Sequence, residues 1–156
     1  MDQAEIETCL RKAFVSDPPP TGDQLVKIYG DIETRLKIRE VFSGRRWWEL
    51  DPDLVMEYDD AISFLEPEGR RYYLPAYLTA TLHADPEWFF SEMVIYHLYL
   101  PLNRPEGDPI RTKFERFMDL LSPEEKSAIR TFLEYAVDHQ APEAAEEALC
   151  VLWHKF

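Results

Sequence analysis

The stretch "SPEEKSAIRTFLEYAVDH", residues 122–139, carries a helix signal strong enough to indicate the fold class. Ser122 is a preferred helix cap, a proline follows it, and Glu125 stands three residues after the serine. This spacing forms a capping box, in which the two side chains satisfy backbone amides left free at the helix start. Beyond the box, apolar residues recur every three or four positions and predict one buried helix face. They are Ile129, Phe132, Leu133, Ala136 and Val137.

The same apolar spacing recurs along the rest of the chain. Three further predicted helices cover residues 6–14, 25–42 and 145–156. Asp51 followed by Pro52 predicts another helix start, and we expect that helix to end before a turn at residues 67–69. No segment alternates convincingly between apolar and polar residues, although "RRYYL" could form a short strand. The sequence predicts one all-α domain over residues 1–156, with about seven helices.

One segment is apolar on nearly every side. It reads "ADPEWFFSEMVIYHLYL" and covers residues 84–100. A helix with this composition belongs in the interior of a domain, because it has no polar face to present to water. We therefore expect the helix from about Pro86 to Leu100 to be the most buried, with the other helices packed around it.

A proline interrupts the stretch "EGRRYYLPAYLTATL", residues 68–82. Proline lacks an amide hydrogen, so it is tolerated in the first turn of a helix but not in the interior. We therefore expect a helix to begin near Tyr73 or Leu74 and to run to about His83. In this interpretation "RRYY" enters the helix, with packed tyrosine rings and hydroxyls at the rim. The alternative is an Arg and Tyr cluster that reaches a partner or a small anion.

This stretch resembles the hallmark segment of a bacterial family of domains of unknown function, "eGfryYLPAyl". The matching residues run from Glu68 to Leu78. The flanks are similar as well: a tryptophan pair on the N-terminal side, then "LSPEEKSAIRTFLEY", then a closing "AxEALxxxW" helix. Arg70 stands where the family usually has an aromatic residue. The resemblance covers most of the chain and implies no particular chemistry.

Composition indicates the class of protein and its compartment. The chain has 156 residues, 46% of them hydrophobic, which is enough to bury a core without disulfides or metals. It shows neither a signal peptide nor an apolar run long enough to span a membrane. We therefore expect a cytoplasmic protein, in which Cys9 and Cys150 are reduced, buried thiols.

The charge balance indicates the kind of partner. The chain has 30 acidic and 17 basic residues, for a net charge of -13. Such a surface repels nucleic-acid phosphates and anionic lipids, so we expect neither nucleic acid nor membrane as a partner. It suits a basic protein, although acidity that merely keeps the protein soluble is the alternative.

Eight carboxylates lie between Glu49 and Glu68, and no lysine or arginine interrupts them. They could serve a helix start, a plain solvated face, or a surface for a basic partner. We expect Glu57, Asp59 and Asp60 to lie close together on one helix that docks through apolar neighbours. At least one of the two adjacent aspartates should face solvent, because burying an unpaired carboxylate is costly. The candidate partner-binding residues are Glu49, Asp53, Glu57, Asp59, Asp60, Arg70, Arg71 and Tyr72.

The sequence contains no recognisable catalytic, cofactor or metal motif. The five glycines form no phosphate loop, and no two of the four histidines have the spacing of a helical metal pair. His97 is most simply a buried, satisfied histidine. In "GRRWWEL", residues 44–50, at least one tryptophan should anchor the core. We expect Arg45 or Arg46 to pair with carboxylates of the acidic segment that follows.

Two hypotheses of function follow from these patterns. The first is a small acidic binding protein, in its concrete form an immunity protein that neutralises a cognate bacterial toxin by direct binding. The second is an enzyme or small-molecule-binding domain with a site around Arg70–Tyr73. An accessory or scaffold role is the remaining alternative.

Overall fold

Eight α-helices make up the computed structural model, which describes residues 1–156 and contains no strand. In chain order they are α1 (Gln3–Ala13), α2 (Ile32–Phe42), α3 (Pro52–Glu57), α4 (Pro67–His83), α5 (Phe90–Tyr96), α6 (Pro109–Leu120), α7 (Pro123–His139) and α8 (Pro142–Val151). Short 3₁₀ helices join several of them, and the buried apolar side chains form a single core. The all-α prediction is confirmed. None of the helices has the length and apolar character that crossing a membrane requires.

Local capping chemistry determines where several helices begin. The side chain of Asp51 accepts a hydrogen bond from the amide of Asp53 at the start of α3. At the start of α7, the Ser122 hydroxyl accepts from the Glu125 amide, and the Glu125 carboxylate accepts from the Ser122 amide. Both predicted starts are therefore confirmed. Five of the eight helices also have a proline in the first turn, where its missing amide hydrogen costs nothing.

The central helix is α4, and the prediction that residues 86–100 would be the most buried was wrong. α4 packs against α1, α3, α5 and α6, and nearly all of its residues are buried. In the predicted segment only α5 is α-helical, and Trp88 and Phe89 before it are exposed. Apolar composition alone does not determine which segment the other helices surround.

Pro75 lies inside α4, so its predicted place in a first turn was wrong. The helix begins at Pro67, more than two turns earlier, and "RRYYL" is helical throughout. A proline in a helix interior costs about 3 kcal/mol or more, because a backbone hydrogen bond is lost. Here the proline is buried among the surrounding helices, whose packing offsets that cost. Close packing is also evident at Gly69, where a Cβ atom would lie 2.8 Å from the carbonyl oxygen of Leu25.

Two other predicted helices are shorter than expected. The second begins at Ile32 rather than Leu25, because Gly30 adopts a positive φ that interrupts the helical path. The helix that starts after Asp51 ends at Glu57, and a 3₁₀ helix covers Asp59–Ser63. Residues 67–69 then open α4 instead of forming a turn.

The C-terminal end also departs from the predicted continuous helix. α8 ends at Val151, and a separate 3₁₀ helix, Trp153–Lys155, places the Trp153 ring in the core. The two cysteines are unpaired. Cys9 is half-buried, and Cys150 near the end of α8 is exposed, so the expectation of two buried thiols was wrong.

Candidate functional site

The residues of the "RRYY" segment diverge in direction because consecutive side chains on a helix point about 100° apart. Arg70 points into the protein and is 8% exposed. Its Nη2 donates to the carbonyl oxygen of Ile62 over 3.1 Å, and its Nε has no partner. Burial lowers the pKa of the guanidinium to about 10, and the charge of Glu66 partly offsets that effect. A partner surface cannot reach Arg70, so its prediction as a partner-binding residue was wrong.

Tyr73 is a structural residue that joins α4 to the end of α2. Its ring is fully buried, edge-on to Phe42, and its hydroxyl lies within hydrogen-bond distance of the carbonyl oxygens of Phe42 and Arg45. Burial raises the pKa of this hydroxyl well above its usual value. The expectation that this hydroxyl lies at the rim was wrong, because the chain after α2 covers it.

Arg71 and Tyr72 line a cleft beside α4. Glu68 shares that helix face, since residues three and four positions apart are neighbours on a helix. The facing wall is the segment of residues 14–21, which we call the proline strap, together with Trp47. The cleft has a volume of about 310 Å³. Three polar or charged side chains of the hallmark segment therefore border one open space.

Arg71 forms an ion pair across the inner end of the cleft. Its Nη2 and Nε donate to Oε1 of Glu125 over 2.8 and 3.1 Å. The Glu125 side chain is 3% exposed, whereas that of Arg71 is 30% exposed. Glu125 is therefore a capping residue and also the buried partner of an arginine 54 residues away. The capping-box pattern predicted only the first of these two roles.

Tyr72 forms part of the cleft wall, and its hydroxyl is unsatisfied. The residue is 5% exposed, and its hydroxyl oxygen is buried without a hydrogen-bond partner. The Trp47 amide lies close to the hydroxyl but outside hydrogen-bond geometry. Burial raises the pKa of the hydroxyl, so it remains a protonated donor at neutral pH. Tyr72 was predicted as a partner contact; its burial means that only a ligand inside the cleft could meet it.

The proline strap is held in place by contacts with the chain after α2. The Trp47 indole donates to the carbonyl oxygen of Phe14 over 3.0 Å, and Trp47 is buried, so one tryptophan does anchor the core as predicted. Arg46 pairs with Asp17 of the strap at 3.3 Å. We expected Arg45 or Arg46 to pair with the acidic segment that follows, but neither forms an ion pair there. The hydrogen bond to Asp17 and its charge, and after them the charge of Glu49 in the acidic segment, raise the pKa of the Arg46 guanidinium.

The five predicted acidic residues lie on or beside α3. Glu49, Asp53, Glu57 and Asp60 are exposed, and Asp59 is half-buried, so one of the adjacent aspartates faces solvent as expected. We call these five residues the acidic face. They do not share one α-helix, because α3 ends at Glu57 and the two aspartates follow in a 3₁₀ helix.

The acidic face forms no ion pair with the rest of the chain. None of its five carboxylates lies within 4.0 Å of a lysine, arginine or histidine nitrogen. The end of the same acidic segment behaves differently. Glu66 pairs with Lys113 at 2.7 Å, and Glu68 pairs with Arg116 at 3.1 Å. The basic side chains of α6 thus neutralise one end of the segment and leave the face around α3 open.

A family model matches residues 2–155, a span that includes both the cleft and the acidic face. It describes a family of unknown function, DUF6714. The chain belongs to that family. No curated protein and no solved structure matches the chain. The expected resemblance to a family of unknown function is confirmed.

The remaining titratable groups form no constellation of their own. His97 is partly buried, and burial together with the nearby Arg70 charge lowers the pKa of its imidazole to about 4. His97 does not line the cleft. No three His, Cys, Asp or Glu side chains converge closely enough to hold a metal ion.

Proposed function

We propose that this chain is a binding protein that recognises a basic partner protein through the acidic face. The observation that supports it is the absence of internal partners for Glu49, Asp53, Glu57, Asp59 and Asp60. By contrast, Glu66 and Glu68 of the same acidic segment each have a cation within the chain. Unpaired carboxylates grouped on one surface attract cationic proteins and accelerate their association.

The acidic face is mounted on a well-anchored part of the molecule. Val55 and Ile62 are buried beneath it. The Tyr77 hydroxyl of α4 donates to the carbonyl oxygen of Tyr58 over 2.9 Å, at the junction between α3 and the following 3₁₀ helix. Burial raises the pKa of this hydroxyl, and the charges of the adjacent aspartates raise it further, so the anchor stays protonated. A surface held in its binding conformation loses little entropy on association.

In its concrete form, the proposal is an immunity protein in the cytoplasm of a bacterial cell, where it neutralises a cognate toxin by covering it. The net charge of -13, the small helical domain and the open acidic face support that role. A toxin that acts on nucleic acid carries basic residues for the phosphate backbone, and such a surface is complementary to the acidic face. The bacterial origin is part of this proposal and rests on the hallmark segment from Glu68 to Leu78.

The test is a charge reversal on the acidic face with a control matched in spacing and charge. The test variant is Glu57→Lys with Asp60→Lys. The control is Glu143→Lys with Glu146→Lys on α8, where both residues are also exposed and three positions apart. Association with basic toxins encoded beside the gene is followed by stopped flow at several salt concentrations.

We expect the test variant to associate roughly tenfold or more slowly than the control variant, with a weaker dependence on salt. Both variants should keep the helical circular dichroism spectrum, because all four positions are exposed. If both variants associate equally slowly, the change in overall net charge explains the effect, and the acidic face has no special role. If the test variant associates at an unchanged rate with a partner that binds the wild type, the proposal is wrong and the acidic face is only a solvated surface.

A further inference from the structure

We propose that the cleft between α4 and the proline strap is a binding site for a small zwitterion with an apolar side chain, namely an apolar α-amino acid. The residues of the cleft alone support this site, independently of the acidic face and its partner.

The size of the cleft limits the ligand. Its volume of about 310 Å³ lies at the lower end of the range of roughly 300–1,000 Å³ that small-molecule sites occupy. A helix or a folded element of a partner is too large for it. A single amino acid fits this volume, and the two walls would cover most of its surface.

Two hydrogen-bond donors at the α4 wall have no acceptor. The Tyr72 hydroxyl is buried and unpartnered, which is costly for a polar group withdrawn from water. Arg71 uses Nε and Nη2 for Glu125, and its Nη1 makes no hydrogen bond. A carboxylate is the acceptor that suits an arginine nitrogen and a phenolic hydroxyl together. These two residues would therefore hold the carboxylate of the ligand.

A carboxylate stands one helical turn away on the same wall. Glu68 precedes Tyr72 by four residues, and its Oε1 is engaged by Arg116 over 3.1 Å. Its other oxygen has no hydrogen bond to the protein, and the side chain is partly open to solvent. It would accept the ammonium group of the ligand. A purely anionic ligand would face Glu68 and Glu125, and a purely cationic one would face Arg71, whereas a zwitterion matches both charges.

The facing wall is mostly apolar and suits a hydrocarbon or aromatic side chain. Phe14 and Trp47 are buried residues of this wall, and prolines of the strap and Leu120 add to its apolar surface, while Ser16, Thr21 and Gln24 are its polar members. Removing an apolar side chain from water against such a wall is favourable. A polar side chain would lose its water over most of this wall and could bond only at Ser16, Thr21 or Gln24, which favours the apolar amino acids.

The binding test uses the full chain with a panel of free amino acids, each followed by saturation-transfer NMR and by Trp fluorescence. Leucine, methionine and phenylalanine should bind, and aspartate and lysine should not. Phenylalanine is compared with 3-phenylpropionate, which lacks the ammonium, and with phenethylamine, which lacks the carboxylate. We expect each analogue to bind about tenfold more weakly, since each loses a charge-assisted hydrogen bond.

Two variants test whether the ligand binds in the cleft. Tyr72→Phe removes the unpartnered hydroxyl and keeps the ring, and Glu68→Gln removes the charge at the ammonium site. Each should weaken phenylalanine binding about tenfold. The matched controls Tyr135→Phe and Glu134→Gln, outside the cleft, should leave it unchanged.

Absence of binding for all the apolar amino acids up to about 10 mM would overturn the proposal. Equal binding of phenylalanine and 3-phenylpropionate would overturn the assignment of a zwitterion. Unchanged affinity in Tyr72→Phe and Glu68→Gln would show that any binding lies elsewhere. Both variants keep the residues that pack the core, so a folded sample is expected for each comparison.

Discussion

Arg71→Gln should destabilise the protein much more than the change in its partner, Glu125→Gln, although the two residues form one ion pair. The pair is asymmetric in burial, because the carboxylate is 3% exposed and the guanidinium is 30% exposed. Removing the arginine leaves a buried charge without its cation, whereas removing the carboxylate charge leaves an arginine that water can reach.

The magnitude follows from the contacts that remain. Breaking a buried ion pair from one side costs about 3–5 kcal/mol. In Arg71→Gln the carboxylate keeps its hydrogen bond from the Ser122 amide, and water can enter where the arginine was partly exposed. We therefore expect a loss of about 2–3 kcal/mol of unfolding free energy. For Glu125→Gln we expect about 1 kcal/mol, because glutamine preserves the capping box.

The assay is equilibrium unfolding in urea, monitored by far-ultraviolet circular dichroism, for both single variants and the double variant. The double variant should be more stable than Arg71→Gln alone, since it contains no unpaired charge. Lys37→Gln is the control, because it removes a long, exposed ion pair with Glu40 worth about 0–1 kcal/mol. The reasoning fails if Arg71→Gln costs no more than Lys37→Gln, or if Glu125→Gln is the more damaging change.

Two further outcomes can be measured by the same method. Gly69→Ala should cost about 1–3 kcal/mol, because the new methyl group would lie 2.8 Å from the Leu25 carbonyl oxygen and backbone cannot easily move away; a neutral effect would show that the two segments separate readily. Burial and the Arg70 charge hold the pKa of His97 near 4, against about 6.5 when unfolded, so the unfolded chain binds the extra proton first as pH falls. Between pH 7 and 4.5 the wild type should therefore lose up to about 2 kcal/mol relative to His97→Gln, and parallel pH profiles would contradict this.

Helix starts could be predicted from the sequence because a cap acts within one turn of the chain. Asp51 and Ser122 bond to amides two or three residues away, so the sequence itself contains the whole interaction. Pro75 shows the opposite case. Its local preference is for a first turn, yet it lies inside α4, since burial by four neighbouring helices outweighs a cost confined to one backbone hydrogen bond.

The acidic face combines a local property with a long-range one. The negative charge of the segment from Glu49 to Asp60 is a matter of composition, so it follows directly from the order of the residues. Which carboxylates of the wider segment stay unpaired does not follow from that order, because the cations that neutralise Glu66 and Glu68 come from α6 and from Lys27.

The sequence alone could not predict that Arg71 and Tyr72 border a cleft. Both residues were candidates from the sequence, but their roles depend on groups far away along the chain. Glu125 is 54 residues from Arg71, and the wall opposite Tyr72 is the proline strap near the N-terminus.

The sequence by itself determined the all-α class, the helix caps and the negative charge, since each depends on residues within a few positions or on composition alone. Only the tertiary structure decided that α4 is the central helix, that Arg70 is buried while Arg71 reaches Glu125, and that the Tyr72 hydroxyl has no partner. The physical reason is that burial and long-range pairing depend on how all eight helices pack together, and that packing is a property of the whole chain.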